Sequence, residues 1–254
     1  ASRATTAQAV EVIDAELFGM GANVGRKGGA KTDVSLWDEK ALTRVLRCAS
    51  VNIPATRAER VAQARVCLQE AKAYSTTVLA KHWKVAKKSS NGHPMRLVFL
   101  DVDGVLNSED DYYAPHHIDV SAVRRLKNLL ERVGHCFIVL STTWRLDDVL
   151  KGKLMRCLAH NGIPHSAIVG QTPNINQRSR ALEIKTWLQR NTVRSLKAWV
   201  ALDDMDLLAQ DALFMAGHFV QIDPHRGFED HHAEEAHRLL YMLPCSEAGH
   251  TLST

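Results

Sequence analysis

The sequence predicts an α/β fold, a parallel sheet with helices on both faces, preceded by an α-helical extension. Three observations carry this. Past Pro94, short apolar runs alternate with helical patterns. Several of those runs ("LVFL", "CFIVL", "WVAL") are apolar throughout rather than every second residue. Before Pro94 the chain reads as helical and basic. Continuous apolar runs separated by helices belong to strands buried on both faces, as in parallel sheets.

In chain order, residues 18–33 ("FGMGANVGRKGGAKTD") come first, with five glycines and three cations. No strand precedes them and no Gly-Lys-Ser/Thr follows, so they read as a flexible connector and not as a phosphate loop. Ser35 and Asp38 have capping-box spacing ahead of a helix marked by Trp37, Ala41, Val45 and Cys48. Thr56 and Glu59 open a second helix through Val61, Ala64, Leu68, Ala71, Tyr74 and Val78 toward Trp83. Residues 35–86 thus read as a helical pair, and the basic run 84–94 ("KVAKKSSNGHP") as a hinge. Strands are expected at 97–101, 136–141, about 166–169, 198–202 and 218–222. Helices are expected near 119–133, 146–160, 179–190, 205–214 and 230–242. The organisation is then 1–94, a basic helical extension; 95–243, the α/β domain; and 244–254, a tail.

Composition excludes several classes. At 254 residues, with 45% hydrophobic and 24% charged residues, the chain suits one large globular domain, or a medium one with an appendage. No apolar run approaches the roughly 20 residues that span a bilayer. Cys48, Cys67, Cys136, Cys157 and Cys245 are scattered and odd in number, which points to a reducing compartment rather than a disulfide framework or structural zinc. Residues 1–95 hold 15 Lys/Arg against 8 Asp/Glu, a net +7, whereas residues 96–254 hold 17 against 20, a net −3. A basic helical face is ordinarily just solvated, but it also suits nucleic acid, acidic lipid or an acidic protein. The start "ASRATTAQAV", without an acid before Glu11, gives the mitochondrial matrix as the expected location, with the cytoplasm as the alternative.

The chemistry gathers at predicted strand ends. Asp101, Ser141 and Asp203 each close a strand, and in open α/β sheets the active crevice lies outside the carboxyl ends of the strands. Asp101 and Asp103 share one loop, where Gly104 allows a tight turn, and Asp203 and Asp204 reach the same rim. Such a carboxylate cluster needs a cation, and hard oxygen donors select Mg²⁺. A carboxylate beside Mg²⁺ and a phosphate can attack phosphorus to form an aspartyl-phosphate, with the second aspartate as acid and then base.

The motifs themselves resemble a known family. "FLDVDGVLN" is similar to motif I, DxDGxL, of the haloacid dehalogenase (HAD) superfamily, "FIVLSTTWR" to motif II and "VALDD" to motif IV. The match extends to a branch of small HAD domains sometimes found in nucleic-acid repair proteins. It runs through "STTWR" (141–145), "GQTP" (170–173), "RALEIKTWL" (180–188), "ALDD" (201–204) and "DPHRGFEDHHAEEAHRLL" (223–240). The resemblance covers about residues 95–243 and implies a Rossmann-like, HAD-like fold with a minimal cap. It implies that Asp101 is nucleophile and Mg²⁺ ligand, and that Asp103 is acid/base with its carbonyl also on the metal. Ser141 then holds the phosphoryl group, with Thr142 as substitute, and Asp203 binds Mg²⁺ with Asp204 sharing that duty. Motif III departs from the superfamily pattern: in place of its lysine stands Arg180 at the helix start. Lys185 lies five residues on, about 140° further round the helix. Arginine binds phosphate bidentately, so Arg180 is preferred and Lys185 stays open.

Arg145 reads either as a clamp on a substrate phosphate or as a surface pair, and Trp144 as core or pocket wall. Trp37, Trp83, Trp187 and Trp199 read as core. His116, His117, His225, His231, His232 and His237 lack metal-site spacing and read as loop or solvated histidines. Segment 108–119 is long enough for a flap but not for a cap domain. The leading expectation is a Mg²⁺-dependent phosphohydrolase acting on a large phosphate ester. The alternative is an accessory or structural subunit of a larger complex, its extension at 35–86 binding protein partners. Nucleic-acid binding by the N-terminal unit is a third reading.

Overall fold

The computed structural model describes residues 34–36, 38–48, 52–73, 75–90, 93–108, 116–175, 179–191 and 195–242. The glycine-rich connector 18–33, Trp37, Tyr74, the tip of the flap at 109–115 and the tail 244–254 lie outside them. Helices α1 (Glu39–Cys48), α2 (Arg57–Ala73) and α3 (Thr76–Ser89) lead into β1 (Met95–Leu100). There follow α4 (Val120–Val133), β2 (Cys136–Leu140), α5 (Asp148–His160), β3 (Ile168–Gln171) and α6 (Arg180–Asn191). Strand β4 (Leu196–Asp203), the single turn α7 (Ala212–Met215), β5 (Phe219–Gln221) and α8 (Asp230–Met242) complete the fold. All strands are parallel, in the order β3-β2-β1-β4-β5. Among the described residues no helix is long and apolar enough to cross a membrane.

Apolar strands are two-sided here, as their pattern requires. Along β1, Val98 and Leu100 face a core with Leu126 and Leu129 of α4 and Leu240 of α8. Leu97 and Phe99 face the opposite core, with Trp83 of α3, Trp187 of α6 and Trp199 of β4. Trp83 and Trp187 meet edge to face at 5.3 Å, a contact that adds about 0.5–1.5 kcal/mol beyond burial. The expected core tryptophans 83, 187 and 199 are therefore core.

Local chemistry moves some boundaries. The Thr56/Glu59 box forms in full: Glu59 N–H donates to Thr56 Oγ1 (3.3 Å) and Thr56 N–H to Glu59 Oε2 (3.2 Å). Helix α1 is capped by Asp38, which accepts from Ala41 N–H at 2.7 Å; Ser35 sits in a 3₁₀ turn, Val34–Leu36, instead. The long second helix is two helices, because Ser75 (ψ 157) leaves the helical region and restarts the chain as α3. The expected hinge at 84–94 is helical as far as Ser89, and the buried Trp83 and Ala86 fix that stretch to the sheet. Helix α3 is thus a covering helix of the sheet, and the second core reaches back to it. The expected helix at 205–214 shrinks to Ala212–Met215. Asp203, Asp206 and Asp211 side chains accept from Met205, Ala209 and Phe214 N–H, which holds the segment in turns.

Helices α1 and α2 pack together through Leu42, Leu46, Ala64 and Cys67, and reach the α/β domain at Val149 of α5. Glu39 bridges them by accepting from Arg57 and Arg60, each at 2.8 Å.

Candidate active site

Each strand end delivers its residue through a continued ladder. Asp101 N–H donates to Leu202 O (3.0 Å), Ser141 N–H to Leu100 O (2.8 Å) and Thr172 N–H to Leu140 O (2.9 Å). The carboxyl ends of β1, β2, β3 and β4 are thereby locked side by side, and Asp101, Ser141 and Asp203 are all buried. Gly104 has φ +73, and a Cβ there would lie 2.8 Å from the Asp204 Cβ and 3.0 Å from that of Pro224. Only glycine lets the first loop come this close to the Asp204 loop.

Asp101, Asp203 and Asp204 bring carboxylate oxygens within 4.8 Å of one another. Arg180, the first residue of α6, faces two of them: Nη2 is 3.3 Å from Asp101 Oδ2 and Nη1 is 3.6 Å from Asp203 Oδ2. Burial pushes the Asp101 carboxyl above the ordinary carboxylate range, against the pull of Arg180 and of the Val102 N–H, which donates at 2.7 Å. Burial, reinforced by the neighbouring Asp101, pushes Asp203 well above that range. Burial works against the charge of Arg180, but Asp101, Asp203 and Glu183 outweigh it and raise its pKa. One guanidinium thus balances three carboxylates incompletely.

Among the described residues, two buried polar atoms at this spot have no hydrogen-bond partner, Ser141 Oγ and Arg180 Nη1. Orphans of this kind are costly in a folded core and mark a place prepared for a ligand. The residues therefore fit both expected groups: an oxygen-only carboxylate set for a hard divalent cation, and a hydroxyl with a guanidinium for a phosphoryl group. Thr142 is engaged differently, bonding the Asp101 carboxylate and accepting from Trp144 N–H at 3.3 Å. Lys185 is not brought to the site; it pairs with Asp211 at 3.0 Å and lies over the Phe214 ring.

The carboxylate of Asp103 takes its hydrogen bonds from outside this cluster. Trp144 Nε1–H donates to both of its oxygens at 3.0 Å, and Asn107 Nδ2 to Oδ1 at 3.0 Å. Neither partner was expected from the motifs. Asn107 could have been suspected, since it lies one helical turn beyond Asp103 in "DVDGVLN". Nothing local signals that the Trp144 indole reaches a residue 41 positions earlier. His116 is a loop histidine, and its half-buried ring comes to the site. Its ring meets Trp144 edge-on at 5.5 Å, its carbonyl accepts from Lys153 Nζ, and burial lowers its pKa.

Both expectations for Arg145 are corrected. It is 4% exposed, with Nε bonded to Thr172 O (2.9 Å) and Nη1 to Thr142 O. Its Nη2 bonds Pro173 O (3.2 Å) and pairs with Glu183 at 2.8 Å. These bonds tie the ends of β2 and β3 to α6 and turn the guanidinium inward, so it is neither a phosphate clamp nor a surface pair.

A second grouping, Glu229, His231 and His232, brings ligand atoms within the same 4.8 Å. Glu229 N–H, however, donates to His232 Nδ1 at 3.0 Å, so the neutral ring carries its proton on Nε2 and has no free lone pair for a metal. Arg226 bonds Glu229 at 2.9 Å and adds a competing positive charge.

A family model described as "HAD domain in Swiss Army Knife RNA repair proteins" matches residues 97–233. Comparison with the curated proteins and with the solved structures gives no match.

Proposed function

The chain belongs to the family described as the HAD domain in Swiss Army Knife RNA repair proteins and is a HAD-type hydrolase; from that premise we propose that it is a Mg²⁺-dependent phosphohydrolase working through an aspartyl-phosphate on Asp101. The observation that carries this reading is the buried Asp101–Arg180–Asp203 contact beside the unpartnered hydroxyl of Ser141. A charged nucleophile, a fixed counter-charge and an unused hydroxyl donor are what phosphoryl transfer asks of a protein, because catalysis there is mostly positioning and charge stabilisation.

The Asp101 carboxylate oxygen attacks phosphorus, and Asp103 gives a proton to the departing oxygen. Asp103 then takes a proton from the water that releases phosphate. Ser141 Oγ and Arg180 Nη1 hold the phosphoryl oxygens, an interaction that strengthens as charge develops. Asp101, Asp203 and Asp204, with the Asp103 carbonyl, would hold Mg²⁺, which when bound neutralises the carboxylates and draws charge from the phosphoryl group. Segment 108–119 is too short for a cap domain, which suits a bulky phosphate ester. An RNA terminal phosphate is the substrate class that the family description suggests.

The test is phosphate release from p-nitrophenyl phosphate with Mg²⁺, wild type beside Asp101→Asn. Activity in the wild type is expected to vanish in the variant and after chelation with EDTA. A wild type silent on this ester and on phosphorylated RNA ends would return the accessory-subunit reading to first place.

A further inference from the structure

We propose that Trp144 is a positioning residue that holds the carboxylate of Asp103 in one orientation, a role that rests on the phosphohydrolase reading above. Asp103 is exposed on the loop after β1, and the terminal torsion of a carboxylate is soft unless something holds it. Oδ1 accepts from two donors, Trp144 Nε1–H and Asn107 Nδ2, while Oδ2 only shares the indole N–H. Asn107 is itself held, because its Oδ1 accepts from Gly104 N–H at 2.8 Å. An indole N–H and an amide NH₂ are donors only, so neither can take the proton of Asp103. The indole bonded to both oxygens and the amide bonded to one fix the rotation of the carboxylate about its terminal torsion.

Trp144 can impose this because its ring is fixed. It is 1% exposed, its N–H bonds Thr142 Oγ1, and Lys153 Nζ sits 6.0 Å from the ring centroid. The next residue, Arg145, is held by three carbonyls and Glu183. Trp144 lies three residues beyond Ser141, on the 3₁₀ turn Thr143–Leu146 capped by Thr142, so one short segment carries both the phosphoryl holder and the anchor of the proton donor. Placement errors near 1 Å cost about 100-fold in rate, so a shared anchor has a direct kinetic consequence.

In the first half-reaction the O–H bond of the Asp103 carboxyl breaks as its proton passes to the leaving oxygen; the bond from phosphorus to that oxygen breaks while the Asp101–phosphorus bond forms. Then a water oxygen bonds to phosphorus, its proton passes to Asp103, and the Asp101–phosphorus bond breaks.

Trp144→Phe keeps an aromatic ring and removes the donor. The probes are phenyl phosphate, whose poor leaving group needs the proton, and p-nitrophenyl phosphate, whose good one does not. The expected result is a fall in kcat/KM of roughly 10- to 100-fold on phenyl phosphate, with less than about 3-fold change on the nitrophenyl ester. Equal losses on both esters would mean a merely structural role and would overturn the proposal, as would no loss at all. Indole ¹H–¹⁵N resonances provide a second measurement that does not depend on the Phe variant. In Asp103→Ala the Trp144 resonance should move while those of Trp83, Trp187 and Trp199 stay; an unmoved Trp144 resonance also overturns the proposal. A wild type silent on both esters sinks the phosphohydrolase reading and this role with it, and a Trp144 resonance that still answers to Asp103 separates that failure from a missing contact.

Discussion

Arg145 and Arg180 are 4% and 8% exposed and flank the same strand ends, but their surroundings differ. Every contact of Arg145 is a bond the fold supplies: three backbone carbonyls and Glu183. Among the described residues, Arg180 is held by ion pairs at 3.3 and 3.6 Å, and its Nη1 has no hydrogen-bond partner. Two buried cations of the same kind thus divide by satisfaction and not by depth. A buried polar group whose bonds are complete maintains structure, whereas one left incomplete beside a nucleophile awaits a substrate.

The largest effect should come from breaking the satisfied arginine. Arg145→Met leaves Glu183 buried without its partner, and urea unfolding should show a loss of about 3–5 kcal/mol. The double variant Arg145→Met/Glu183→Leu should recover much of this, since an apolar pair of similar volume often replaces a buried ion pair at little cost. If Arg145→Met instead kept its stability and lost only substrate affinity, the division between the two arginines would collapse.

Arg180→Gln sharpens the other side of the comparison. It should lower kcat/KM for p-nitrophenyl phosphate by about 10²–10³-fold, as removing a single donor to developing charge does elsewhere. The circular dichroism spectrum should stay native, because no strand end depends on Arg180 for a backbone bond. Full activity in Arg180→Gln would remove motif III from this residue altogether.

How legible this contrast was in the sequence depends on the range of each interaction. The parallel sheet was readable because "LVFL", "CFIVL" and "WVAL" announce two-sided burial within a few residues. The rim followed, since Asp101, Ser141 and Asp203 each sit at the end of such a run. Arg180 was favoured over Lys185 by its place at the helix start. What stayed hidden were pairings between distant segments: Trp144 with Asp103, and Arg145 with Glu183. Both residues lie in the "STTWR" run, where a motif reading offers a phosphate ligand before a structural clasp. The turns at 204–211 were lost for the opposite reason: their apolar spacing suggests a helix, and only the aspartate side chains decide against it.

The smallest effect belongs to the cation that sequence spacing could not dismiss. Lys185 is one residue over a turn along α6 from Arg180, and that rotation carries it out of the rim to Asp211, with its side chain 41% exposed. Exposed pairs of this sort contribute little, since water already solvates both charges and ordering two side chains costs entropy. Lys185→Met should therefore leave the melting temperature within the error of the measurement and change kcat/KM by less than about 2-fold. A loss comparable to that of Arg180→Gln would show that α6 presents a different face to the substrate, and that the incomplete arginine is not the only cation the phosphoryl group meets.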